Sequence, residues 1–225
     1  MAKSDPKEEG RAAAATRLPR GRHGLPRELV AENQRERLIS GIIAAVAEHG
    51  YADTTIAAIV KEAGLSRKTF YEHFKNKEDC FAAAYEASFG YLRHEVGAVD
   101  GTKKEWALWV RARIERLLEL LAAEPDLASF FLIAPASVGD PVALRHHEAM
   151  RELVGALVAG APRRRGKAEA DGTREQALAG GISRLVVRKL DDGEAAKLDE
   201  LVPALSELVL RPYVGDAEAA HIAAT

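Results

Sequence analysis

An all-α fold follows from three features of this 225-residue sequence. Alanine and leucine are abundant while aromatic residues are only 6% of the chain, no run of alternating β-branched residues occurs, and apolar residues recur at three- and four-residue spacing. A chain of this length fits one large or two small domains and can bury a real core.

Residues 1–26 are rich in Ala, Arg, Pro and Gly without periodicity, and are expected to be largely disordered. Within them Arg17-Leu18-Pro19-Arg20-Gly21-Arg22-His23-Gly24 is a basic arm. Arg20 and Arg22 are candidates to enter a DNA minor groove; an ordinary solvated tail is the alternative. Ile39, Ile42, Ile43 and Val46 then mark an amphipathic helix over residues 27–49, ended by Gly50.

The run from Thr54 to Phe74 spells two short helices joined by a tight turn. Thr54 or Thr55 can cap the first, Ile59 and Ala63 give it an inward face, and Gly64 supplies a left-handed conformation at its C-terminus. Ser66 caps the second. Phe70 and Phe74, four residues apart, point together into a core, leaving Arg67, Lys68, Thr69, Tyr71 and Lys75 to face outward. This is a helix-turn-helix pattern whose second helix offers side chains suited to phosphates and base edges.

Asn76 is a good cap, with Asp79 at the third helical position, so a fourth helix is expected from Lys77 through Phe81, Tyr85 and Phe89. Residues 97–102 read as a break between domains. A long helix over 104–123 carries Trp106, Val110, Ile114, Leu117, Leu118 and Leu121 on one stripe, and Glu124-Pro125-Asp126 stops it. Residues 127–133 form a short apolar helix ended by Pro135, residues 141–158 another with Arg145, His146, His147 and Met150, and residues 160–172 a connector holding Arg163-Arg164-Arg165. That arginine triplet, far from the helix-turn-helix, reads as a solvated loop. Leu178, Ile182, Leu185 and Val186 mark one final helix, with Gly180-Gly181 permitting close approach; Leu198, Leu201, Val202, Leu205, Leu208 and Val209 mark the other.

Charge separates along the chain. Residues 1–77 carry 14 Lys and Arg against 10 Asp and Glu, whereas residues 78–225 carry 18 against 24, so the basic end coincides with the helix-turn-helix. The single cysteine, Cys80, excludes an intrachain disulfide framework and a structural zinc site of its own; it reads as a small buried hydrophobe rather than a redox sensor. The polar start lacks the apolar segment of a signal peptide, and no run approaches the ~20 apolar residues that span a bilayer, so a cytoplasmic location is expected. No phosphate-binding glycine loop, paired metal-ligand motif or nucleophile elbow occurs, and adjacent His146 and His147 diverge on a helix, so no catalytic residue, metal or cofactor is assigned.

Gly50-Tyr51 before the threonines and Tyr71-Glu72-His73-Phe74-Lys75-Asn76-Lys77-Glu78 after them extend the pattern. With the Thr-Thr pair, Ile59, Ala63-Gly64, Ser66 and Lys77, the segment 35–85 resembles the DNA-binding domain of the TetR family of transcriptional regulators. The resemblance implies a homodimer on a palindromic operator in double-stranded DNA, with Thr55, Tyr71 and Lys77 on phosphates and Arg67, Lys68, Thr69 and His73 at base edges or nearby backbone. Ile56 departs from relatives that make a polar base contact from this position. The expected organisation is a basic arm (1–26), a three-helix helix-turn-helix DNA-binding domain (27–80), a helical effector-binding and dimerisation domain (81–215) and a tail (216–225). Dimerisation would use Leu178, Ile182, Leu185, Leu201, Leu205 and Leu208 in a four-helix bundle. A small apolar or aromatic effector would meet Trp106, Trp109, Arg113, Phe130, Phe131, His146, His147 and Met150 and release a repressor from its operator. Two other readings stay open: an activator or global regulator without a small-molecule signal, and an all-helical ligand-binding or enzymatic domain that does not use DNA. Salt dependence of binding separates the last from the rest.

Overall fold

The computed structural model describes residues 26–99, 105–161 and 173–225, and every regular element among them is helical. Arg20, Arg22, the break at 100–102 and the connector at 162–172 lie outside the described residues. The chain divides into two compact units, Met1–Glu86 and Ala87–Thr225.

The first unit contains α1 (Arg27–Asp53), α2 (Ile56–Ala63), α3 (Arg67–His73) and the first half of α4 (Lys77–Gly97). Gly50 breaks α1 as expected, with φ 74°, and one further turn follows it. The buried stripe of α1 is Leu38, Ile42, Ala45 and Val46, so Ile39 and Ile43 sit at its half-buried edge. At Gly41 a Cβ would lie 2.7 Å from the Ile59 carbonyl oxygen and 2.9 Å from the Ala63 nitrogen, so a side chain there would force α1 and α2 apart. The division between units falls inside α4 rather than at residue 80 or at the break near 97–102. Cys80, Phe81, Ala84 and Tyr85 are at most 1% exposed, and Phe81 meets Tyr51 edge to face at 5.1 Å, which ties this half of α4 into the first core.

The second unit is built around α5 (Trp106–Ala123), which buries Val110, Ile114, Leu117, Leu118 and Leu121. Pro125 both ends the run of α5 and begins α6 (Pro125–Leu132), since a helix's first turn needs no proline N–H. Pro135 lies in a short 3₁₀ turn, Ala134–Ser137, ahead of α7 (Asp140–Leu157). Next come α8 (Thr173–Asp191), a 3₁₀ segment at Ala195–Leu201, α9 (Val202–Val214) and α10 (Asp216–Ala223).

Two expectations for the C-terminus are corrected. The stripe from Leu198 to Val209 is not one helix, because the backbone passes from 3₁₀ to α at Leu201–Val202, just before Pro203 in the first turn of α9. Residues 216–225 are not a tail: Gly215, with φ 90°, ends α9, and Asp216 and Glu218 favour a new N-terminus. Ala219 and Ala223 are buried on α10, which packs against α9.

Candidate nucleic-acid interface and ligand region

The helix-turn-helix is positioned by its caps. Thr55 caps α2 by accepting from the Ala58 N–H at 3.2 Å, and Ser66 caps α3 by accepting from Thr69 N–H at 3.0 Å. Between them Gly64 takes φ 61°, ψ 38°, and Leu65 N–H closes on the Val60 carbonyl at 2.9 Å. Thr54, the other candidate cap, is buried and donates its hydroxyl to Gly50 and Ala45 carbonyls at 2.7 and 3.1 Å. Asn76 accepts from Asp79 N–H while the Asp79 carboxylate accepts from Lys75 N–H, a reciprocal box that starts α4.

Phe70 and Phe74 are 0% and 3% exposed, so α3 has one possible orientation, with Arg67, Lys68 and Tyr71 on its outer face. Tyr71 is 60% exposed and stands out from α3 into solvent. Thr69 is half-buried and shares a 2.9 Å hydrogen bond with the Ser66 hydroxyl. His73 is also half-buried; its Nε2 lies 3.2 Å from Gln34 Oε1, which orients the ring from α1.

Lys77 departs from expectation. Its ammonium turns inward, donating to the Tyr51 and Thr54 carbonyls at 2.8 and 3.0 Å, and lies 4.1 Å from the centre of the Tyr51 ring. Lys77 therefore fixes the end of α1 against α4 instead of presenting its charge for a phosphate. Tyr51 donates to Glu78 at 3.2 Å, and burial followed by the Glu78 charge pushes its phenol up to about 12. The sequence reading missed Arg37, which reaches from α1 to the Ala63 and Gly64 carbonyls at 2.6 and 3.0 Å and locks the turn that sets α3. No sequence signal marks this, because the partners are backbone atoms 26 and 27 residues away. Cys80 is fully buried and its thiol is pushed up to about 12, chiefly by desolvation, which leaves it inert at neutral pH.

In the second unit the expected effector residues do not converge on one site. Phe131 and Met150 line a small apolar cavity with Leu117, Leu121, Leu153 and Val186, of about 10 Å³, close to what one water needs. Phe130 is fully buried core. Trp106, Trp109 and Arg113 form a separate cluster at the C-terminal end of α7: Trp106 Nε1 donates to Ala159 O at 3.0 Å, and Arg113 stacks on Trp109 and donates to Ala156 O. His146 packs against Phe131 at 6.0 Å, and burial followed by His147 holds it down at about 4; His147 is exposed.

The dimerisation set divides as well. Leu178, Ile182 and Leu205 are at most 5% exposed, committed to the chain's own core. Leu185 and Leu201 are half-buried, and Leu208 is 39% exposed beside Gly181, whose absent Cβ would meet it at 3.3 Å. Among the described residues no group of three or more His, Cys, Asp or Glu could hold a metal ion, and no helix is long and apolar enough to cross a membrane.

A capped two-helix unit with a basic outer helix defines the first unit as a helix-turn-helix domain of DNA-binding type. Residues 38–84 match the family described as bacterial regulatory proteins, tetR family. It is 42% identical over 67 residues to an uncharacterized HTH-type transcriptional regulator, YerO, of Bacillus subtilis (strain 168), a match covering 30% of this chain and 23% of that protein. The chain spans less than half the length of the curated relatives it matches. Its fold is similar to the fatty acid degradation regulator FadR from Bacillus halodurans, with a TM-score of 0.66 at 20% identity over 79% of this chain and 94% of that one. It is similar also to FadR from Bacillus subtilis in complex with stearoyl-CoA, with a TM-score of 0.60 at 21% identity over 77% and 96% of the two chains.

Proposed function

We propose that the chain is a cytoplasmic, non-enzymatic, sequence-specific DNA-binding regulator that acts as a homodimeric repressor and leaves its operator when a small apolar molecule binds the second unit. The orientation of α3 carries this reading: Phe70 and Phe74 bury one face and hold Arg67, Lys68 and Tyr71 outward. Thr55 and Tyr71 are the proposed phosphate contacts, Arg67 and Lys68 reach base edges, and Thr69 and His73 contact the DNA backbone beside them. Arg20 and Arg22 are proposed for the minor groove. One seven-residue helix contacts few base pairs, so duplication across a two-fold axis supplies the missing affinity. The proposed mating face is the outer side of α8 and α9, where Ala177, Gly180 and Ala204 are exposed and small enough for backbones to approach and Leu208 offers an exposed apolar side chain.

Footprinting on the DNA flanking the coding region tests the reading. Protection of a palindromic site whose affinity falls steeply with salt is the expected result. Binding without sequence preference, or none in low salt, would overturn it.

A further inference from the structure

The second unit holds a buried guanidinium with no ion pair among the described residues. Arg113, on α5, is 6% exposed. Its guanidinium carbon lies 3.5 Å from the Trp109 ring centre, Nη1 donates to the Ala156 carbonyl near the C-terminal end of α7, and the buried Nε has no hydrogen-bond partner. Arg111 on the same helix also has a buried Nε without a partner, but its guanidinium pairs with Glu115, and Arg116 pairs with Glu95 and Glu119, so the missing carboxylate is what sets Arg113 apart. Among the described residues no ion pair engages Arg113, and burial alone draws its pKa below the usual arginine value. A helix C-terminus and an aromatic face each offset part of the cost of desolvating a cation, but neither supplies the acceptor that Nε lacks.

Arg113 does not itself line the apolar cavity, but the register of α5 and α7 leads from one to the other. Leu117 and Leu121, which line it, follow Arg113 by one and two turns on the same face of α5, and Leu153, also lining it, precedes Ala156 by three residues on α7. A molecule lying between α5 and α7 with an alkyl chain among Leu117, Leu121, Phe131, Met150 and Leu153 would carry its head toward Arg113. We infer that this seam binds an amphiphilic carboxylate, its chain in the cavity and its carboxylate accepting from the Arg113 guanidinium. A coenzyme A thioester has no carboxylate to offer the guanidinium, so the ligand is a free carboxylic acid anion rather than its thioester. The cavity at rest is no larger than about one water, so entry requires Met150 and Phe131 to repack, and that displacement is the means by which the ligand shifts the conformation of the unit.

The inference rests on the effector-released reading above and deepens it. Calorimetry on the full chain with decanoate, decanol and decanoyl-coenzyme A tests it, alongside Arg113→Met and Arg113→Lys. Decanoate should bind the unaltered chain at least tenfold tighter than decanol. Arg113→Met should lose at least tenfold toward decanoate with decanol unchanged, and Arg113→Lys should fall between. Should Arg113→Met fail to fold, Arg113→Lys carries the test, because a lysine cannot reproduce the planar donor set and must still weaken decanoate selectively. Equal affinity for acid and alcohol, decanoate binding untouched by either variant, or a preference for the thioester would overturn the carboxylate assignment. Operator release is a separate arm: decanoate bound through Arg113 that leaves DNA affinity unchanged would sink the effector-released repressor and keep the ligand class, whereas release by decanol alone would do the reverse.

Discussion

The two units differ in where they place their cations. In the first, Thr54, Arg37 and Lys77 donate to backbone carbonyls, while Arg67 and Lys68 stand in solvent on α3, Lys68 3.9 Å from Glu72. In the second, Arg113 is buried and His146 half-buried, and desolvation is the first cause that disfavours the charged form of each. A surface for a polyanion needs rigid scaffolding beneath and free cations above, while a cavity for a small molecule needs a few polar groups held away from water. The difference in burial is the one that the proposed recognition surface and the proposed ligand site would each require.

The sharpest way to break that contrast is to remove the scaffold. Phe70→Ala empties a fully buried aromatic site and is expected to cost about 3–5 kcal/mol, melting the first unit and abolishing DNA binding; thermal unfolding by circular dichroism reads it. A variant as stable as the parent would show that α3 is not anchored through this ring.

His146 sharpens the other side. Its folded pKa, about 4, lies below the ordinary histidine value of 6.5, so the unfolded chain binds the extra proton first. Stability is full above pH 6.5 and falls as pH drops toward 4, by up to about 3 kcal/mol. In His146→Gln this slope should flatten in urea titrations at pH 7 and pH 5, and an unchanged slope would assign the acid sensitivity to other groups.

Arg37 and Lys77 divide scaffolding from charge. Losing either set of charge-assisted bonds to carbonyls should cost about 1.5–3 kcal/mol, so Arg37→Ala and Lys77→Ala should weaken operator binding with the salt slope intact. Lys68→Ala should instead lower the slope by about one. A slope change at Lys77 equal to that at Lys68 would return Lys77 to the phosphate-binding set. Ser66→Ala, the smallest effect, removes one cap and should cost about 1 kcal/mol, visible as faster amide exchange in α3; identical exchange would show the cap to be redundant.

The sequence was most legible where the chemistry is local. Thr55, Gly64, Ser66 and Asn76 act on backbone within a few residues, so their types and spacing announced each helix end. The direction of Lys77 and the reach of Arg37 depend on carbonyls more than twenty residues away, which no spacing encodes. An apolar stripe also reads alike whether it meets its own chain or another, and so Leu178, Ile182 and Leu205 looked available for an interface although the chain's own core holds them. The helix α10 was missed because alanine pairs with Asp and Glu as readily in a solvated tail as in a short helix packed on α9.

The central claim is that α3 reads DNA sequence through its outer face. Selecting preferred sites from a randomised duplex pool for the parent chain and for Arg67→Ala and Lys68→Ala tests it most directly. Each variant is expected to relax preference at particular base pairs in both half-sites, by about 1–3 kcal/mol per lost direct contact. Unaltered site preferences in both folded variants would contradict the account, because the sequence would then be read by some part of the chain other than the outer face of α3.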